Sequence, residues 1–88
     1  MFENIFGDLM LQYIEWNNFK LTFYINKNEN TGLWSYSDLY LLKYTGKKVI
    51  TNRITDITNL PFKSTNEMRS HLELVMKKHI NNLYGSEL

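Results

Sequence analysis

The sequence contains no cysteine, which excludes disulfide bonds and thiolate metal ligands. Its four glycines stand apart at positions 7, 32, 46 and 85, so there is no glycine-rich phosphate-binding loop. No apolar run approaches the ~20 residues of a membrane span, and the N-terminus lacks the basic start of a signal peptide. These absences predict a soluble, cytoplasmic domain with no membrane segment.

Alanine is also absent, whereas asparagine occurs eleven times and isoleucine, lysine, tyrosine and leucine are abundant. This bias favours residues encoded by AT-rich codons over those encoded by GC-rich codons. The composition therefore indicates a low-GC bacterium, or a phage or mobile element within one, as the source.

The length of 88 residues allows one domain, residues 1–88, and the 43% hydrophobic content is enough for a single core. A net charge of +1 excludes a strongly basic nucleic-acid-binding protein and a strongly acidic mimic of nucleic acid. Disorder would require lower hydrophobicity and a larger net charge.

Apolar residues at the N-terminus recur at spacings of three and four, which predicts an amphipathic helix over residues 1–16. The stripe comprises Phe2, Ile5, Phe6, Leu9, Met10, Tyr13 and Ile14. Gly7 in its interior disfavours a helix by roughly 1 kcal/mol relative to alanine. An alternative stays open, in which Met10 to Trp16 is a strand that turns at Asn17-Asn18 into the next strand.

Residues 19–58 predict a three-stranded antiparallel sheet. Phe19 to Asn26 alternates strictly between apolar and polar side chains, as a half-buried strand does. Leu33 to Tyr44 predicts a second strand, irregular around Ser35–Asp38, and Gly46 allows a tight turn to a third strand from Lys48 to about Asp56. A proline follows at position 61, where the sheet is expected to have ended.

Residues 65–84 predict a C-terminal helix. Ser64 and Glu67 have the spacing of a capping box, and Gly85 suits the helix C-cap. An apolar stripe along about five turns is expected to face the core: Met68, Leu72, Val75, Met76, Ile80 and Leu83.

The predicted fold is therefore a single small α+β domain of order α-β-β-β-α. This order is similar to that of double-stranded-RNA-binding domains, and residues 19–83 resemble the arm-binding domains of phage-type integrases in the order of their elements. The RNA-binding family carries lysines where this sequence has Ser64 to Glu67, and the integrase domains are richer in basic residues. We assign no family from the sequence.

Catalytic motifs are missing, and no cofactor or metal is expected. His71 and His79 are eight residues apart, which on a helix is about 12 Å and too far to share a metal ion. Both are interpreted as histidines that flank an apolar stripe. The sequence predicts a protein that is not an enzyme.

An aromatic row is the first candidate binding site. In strand period, Trp34, Tyr36, Tyr40 and Tyr44 share one face of the second strand, and Tyr24 on the first strand can join them. An exposed row of this kind anchors a protein partner or stacks bases. The alternative is that these rings complete the core.

A basic segment is the second candidate. Residues 20–63 carry seven cations and three acids, a net charge of +4. Lys43, Lys47, Lys48 and Arg53 cluster around the predicted second hairpin and could contact phosphates.

The leading hypothesis is a non-catalytic interaction protein, encoded by a phage or mobile element, that binds and modulates or inhibits a host protein such as a defence component. The alternative is a nucleic-acid-binding module that uses the basic 43–53 hairpin and the sheet tyrosines. A homodimer closed through the sheet face or an edge strand is a third hypothesis.

Overall fold

A computed structural model describes residues 10–55 and 61–85 of the chain. These residues form four strands and one helix: β1 (Met10–Trp16), β2 (Phe19–Lys27), β3 (Trp34–Tyr44), β4 (Val49–Ile54) and α1 (Thr65–Tyr84). Each strand pairs antiparallel with its neighbour in the sequence, so the sheet has the order β1-β2-β3-β4. The described residues therefore form a β-rich α+β domain.

The predicted order α-β-β-β-α is wrong, because residues 10–16 form a strand. Trp16 pairs with Phe19, and Asn17 takes a left-handed backbone with a φ of 53°, which asparagine tolerates. Ile14 is buried on the core side of this strand. The open alternative at this position is confirmed, and residues 1–9 of the predicted helix lie outside the described residues.

The alternation predicted for β2 is confirmed, since Phe19, Leu21, Phe23 and Ile25 are all buried. On β3, Leu39 and Leu41 join them in the core. β4 is shorter than predicted within the described residues, and positions 56–60 fall outside them.

The C-terminal helix has the predicted bounds and caps. The backbone N–H of Glu67 donates to Ser64 Oγ at 3.1 Å. Gly85 ends the helix with a φ of 61°, and its N–H donates to the carbonyl of Asn81. The first of these contacts pairs a helix N–H that would otherwise have no intrahelical acceptor.

One face of the sheet packs against α1 to form the core. The helix buries the side chains of Met68, Leu72, Val75, Met76 and Ile80. Leu83, which was predicted to belong to the same stripe, is exposed. The helix thus covers the sheet face to which Phe19, Leu21, Phe23 and Ile25 belong.

A β-bulge interrupts β3. Thr22 pairs with Tyr40 but Tyr24 pairs with Ser37, so Phe23 on β2 lies opposite two residues, Asp38 and Leu39. Asp38 is the extra residue, since it is exposed and its φ is 54°, whereas Leu39 is buried. Because one residue is inserted, the alternation of side chains reverses between the two halves of β3.

The edge strand β1 is tied to the helix by one long side chain. Arg69 Nη2 donates to the backbone carbonyl of Tyr13 at 3.2 Å. Among residues 10–55 and 61–85, β1 has a partner strand on one side only, so this contact occupies a polar backbone group on an edge strand of the described sheet.

Candidate functional site

The sheet face opposite α1 carries four tyrosines, which we call the tyrosine face: Tyr13 on β1, Tyr24 on β2, and Tyr40 and Tyr44 on β3. Residues that pair across neighbouring strands point to the same side of a sheet. The pairs that contain these tyrosines alternate along the strands with the pairs that contain the buried core residues. Tyr13, Tyr24 and Tyr44 are 53%, 39% and 40% exposed, and Tyr40 is half-buried. Their rings are accessible from solvent.

In the middle of this face the register places a small residue between two tyrosines, an arrangement that we call the notch. Thr22 on the central strand β2 pairs with Tyr13 on one side and with Tyr40 on the other. The two tyrosines are therefore two strand spacings apart, about 10 Å, with the small Thr22 side chain between them. The same row continues to Arg53 on β4.

Two cations lie directly against the tyrosine rings. Lys20 Nζ is 4.8 Å from the ring centroid of Tyr13 and 5.7 Å from that of Tyr44. The Arg53 guanidinium is 5.9 Å from the Tyr40 centroid and 3.8 Å from an Asp38 carboxylate oxygen. Each contact places positive charge over an electron-rich ring face.

Of the predicted aromatic row, the structure brings Tyr24, Tyr40 and Tyr44 together on the tyrosine face. It places Trp34 and Tyr36 on the opposite face, where Tyr36 is 3% exposed and Trp34 packs against the core. The prediction that all five share one face is wrong, because the bulge at Asp38 reverses the alternation that the prediction assumed.

Tyr36 instead belongs to an aromatic cluster beneath the helix. Its ring lies 6.2 Å from that of Phe62 and 6.0 Å from that of His71, and its hydroxyl is 3.4 Å from His71 Nε2. Burial raises the pKa of the Tyr36 phenol above its usual value, because the charged phenolate loses hydration there.

This burial predicts a loss of stability in alkali. The folded-state pKa of Tyr36 lies above the unfolded value of about 10, so its contribution to the free energy of unfolding is fully present below that pH. It is lost as the pH rises through the folded-state value. Urea unfolding measured from neutral to strongly alkaline pH should show this decline. For Tyr36→Phe the free energy of unfolding should fall less steeply with pH. If the free energy of unfolding falls equally steeply with pH in both proteins, the assignment to Tyr36 is contradicted.

Two residues of the notch, Tyr13 and Thr22, were missed as site residues from the sequence. In the strand alternative for Met10 to Trp16, Tyr13 shares a face with Leu11 and Glu15, so no apolar–polar alternation singles it out. The position of Thr22 between two tyrosines depends on the register of three strands, which no spacing within one strand reveals.

The predicted basic residues are divided by the structure. Lys47 and Lys48 lie in the turn between β3 and β4, and Lys43 lies on the helix side with its Nζ 4.2 Å from the Tyr84 ring centroid. Arg53 lies four residues beyond the start of β4, roughly 13 Å along the strand, on the tyrosine face. The structure therefore places Lys43, Lys47 and Lys48 at one end of the sheet and Arg53 away from them.

The histidines both lie on α1. His71 packs against Tyr36 and Phe62, and His79 Nδ1 is 3.0 Å from the Val75 carbonyl. Within residues 10–55 and 61–85, no three acidic or histidine side chains are grouped as a metal site would require. In that same part of the chain, no helix combines the length and the apolar content needed to cross a membrane.

Comparison with protein-family models, with curated proteins and with solved structures gives no significant match. Arguments about function therefore depend on the geometry of the tyrosine face and on the distribution of charge.

Proposed function

We propose that this chain is a non-catalytic binding module that recognises a partner protein through its tyrosine face. The observation that carries the proposal is the notch formed by Tyr13, Thr22 and Tyr40 on the sheet face opposite the helix. Tyrosine is enriched at protein interfaces, because its ring offers a large apolar area at low entropic cost and its hydroxyl can still form a hydrogen bond.

The notch has the form of an anchor site. Two rings flank a small residue, so an apolar side chain of the partner can insert between them and lie on Thr22. Lys20 and Arg53 lie beside the rings and supply a polar rim. A central apolar anchor within a polar rim is the usual arrangement at protein interfaces.

The partner is proposed to be a host protein. The absence of alanine and the excess of asparagine support a low-GC bacterium, or a phage or mobile element within one, as the source. For a protein encoded by a phage or mobile element, the bound protein would belong to the host, and inhibition of a defence component would be one instance.

Filling the notch should abolish this binding. Thr22→Trp places a large ring between Tyr13 and Tyr40, and aromatic residues are well tolerated on a half-buried strand. Blocking an anchor costs about 2 kcal/mol or more, at least thirtyfold in affinity. Immobilised protein would be incubated with nuclease-treated lysate of the organism that encodes the chain, and captured proteins would be quantified by mass spectrometry.

Two control variants accompany this experiment. Thr22→Ser leaves the notch open, and Thr51→Trp adds the same ring on the same face, on edge strand β4. A protein captured by the wild type and by both controls, but not by Thr22→Trp, would support the proposal. If thermal melts show all variants folded and capture is the same for all of them, the tyrosine face does not bind the partner.

Nucleic acid is the second candidate ligand, favoured by the cations that lie against the rings of Tyr13, Tyr40 and Tyr44. Single-stranded nucleic acid binds to surfaces that combine stacking rings with positive charge. Its affinity falls steeply with salt because counterions are released. Fluorescence anisotropy with an oligothymidylate over a salt series would distinguish it from a protein partner.

A further inference from the structure

Two of the three connections between strands, the β1–β2 turn and the β3–β4 turn, lie at the same end of the sheet. The β1–β2 turn contacts the last residue of β3 through a reciprocal pair: Tyr44 N donates to the Asn18 carbonyl at 2.8 Å, and Asn18 Nδ2 donates to the Tyr44 carbonyl at 3.0 Å. The β3–β4 turn is closed by Thr45, whose N–H donates to the Lys48 carbonyl at 3.0 Å. We call this region the hairpin end.

The hairpin end carries a concentration of positive charge. Lys20 is the second residue of β2, and Lys47 and Lys48 lie in the β3–β4 turn. Lys43, next to last in β3, lies on the helix side against the Tyr84 ring. Among the described residues at this end, the one carboxylate is that of Glu15, which pairs across the strands with Lys20, so Lys20, Lys47 and Lys48 outnumber it.

We propose that the hairpin end binds a carboxylate-rich segment of the partner protein. Lys20 borders both the hairpin end and the tyrosine face, because its Nζ approaches the rings of Tyr13 and Tyr44. A bound chain can therefore place an apolar side chain in the notch and acidic side chains against Lys47 and Lys48. This inference rests on the proposed function and specifies the chemistry of the partner.

Carboxylates fit this arrangement better than the phosphates of a nucleic acid. A phosphodiester chain that crosses the tyrosine face would need positive charge along its whole track. Cations are instead concentrated at one end, and the other cation of the face, Arg53, is paired with Asp38 at 3.8 Å. A short acidic segment needs charge only where its carboxylates lie, which is the pattern observed.

A glutamate–tyrosine copolymer is a suitable probe, because it presents both carboxylates and apolar rings. Fluorescence anisotropy would measure its binding to the full chain at low and at physiological ionic strength. Lys47→Gln with Lys48→Gln should weaken binding about fivefold to tenfold, since exposed charge pairs contribute modestly and are screened by salt. The control, Lys27→Gln with Lys63→Gln, makes the same charge change at the far end of the sheet and should bind like the wild type.

The outcomes separate this inference from the proposed function. Binding that is weakened by Lys47→Gln with Lys48→Gln and by Thr22→Trp, but not by the control pair, supports both. Binding weakened by Thr22→Trp alone overturns the acidic-segment inference and leaves the proposed function intact. Tighter binding of an oligothymidylate than of the copolymer overturns the acidic-segment inference in favour of nucleic acid. Absence of copolymer binding at low ionic strength overturns the same inference.

Discussion

Deletion of Ser37 together with Asp38 is expected to unfold the protein. Asp38 is the extra residue of the bulge, so its removal alone leaves Tyr36 and Leu41 four positions apart on a regular strand and therefore on the same face. Removal of Ser37 as well leaves these two buried residues three positions apart, so they would point to opposite faces. One half of the strand must then expose its core residues. Each side chain that leaves the core costs roughly 2–5 kcal/mol of unfolding free energy. Domains of this size have a total stability of about 5–15 kcal/mol, so little or none would remain.

Asp38→Gly is the matched control for this deletion. Glycine adopts the φ of 54° without strain, and the exposed ion pair with Arg53 that it removes is worth about 1 kcal/mol or less. Circular dichroism melts and the dispersion of amide NMR signals would compare the two variants. A double-deletion variant that melts like the wild type would mean that strand alternation does not determine the placement of the β3 side chains.

Leu72→Ala is expected to cost roughly 2–5 kcal/mol of unfolding free energy. Leu72 is 0% exposed and packs in the core between the helix and the sheet. Truncation removes apolar contact area and leaves a cavity that the surrounding side chains fill only in part. Urea denaturation should show a lower midpoint with an unchanged slope.

Leu74→Ala serves as its control, because the same substitution two residues further along α1 affects a side chain that is 69% exposed. Leu74→Ala should change the stability by no more than about 0.5 kcal/mol. If both variants lose the same stability, the face of α1 that packs on the sheet is not the one described.

Much of the fold could be predicted because local signals agreed with tertiary packing. In α1, the cap at Ser64 and the apolar stripe specify the same helix, and in β2 strict alternation from Phe19 specifies one buried face. The N-terminal segment was ambiguous. Met10, Tyr13 and Ile14 fit a helical stripe, whereas pairing with β2 buries Ile14 and leaves Tyr13 exposed. Pairing between strands is a tertiary interaction that periodicity does not reveal.

The candidate site was only partly predictable for a related reason. Tyr24, Tyr40 and Tyr44 follow simple alternation and were assigned to one face correctly, but Tyr36 lies before the bulge and was not. The sequence indicated an irregularity around Ser35–Asp38, but it did not show which residue is inserted. The notch also requires Tyr13, whose neighbour across the sheet is known only when the register of β1, β2 and β3 is known.

The contact between Arg69 and the Tyr13 carbonyl limits how copies of this protein can polymerise. Growth of a fibre by strand addition needs two available edges on each subunit, one to receive a neighbour and one to offer to the next. An incoming strand at β1 would have to displace Arg69, whereas β4 is the other edge of the sheet. Strand pairing through a single edge joins two subunits and then stops, so the Arg69 contact disfavours an open-ended filament.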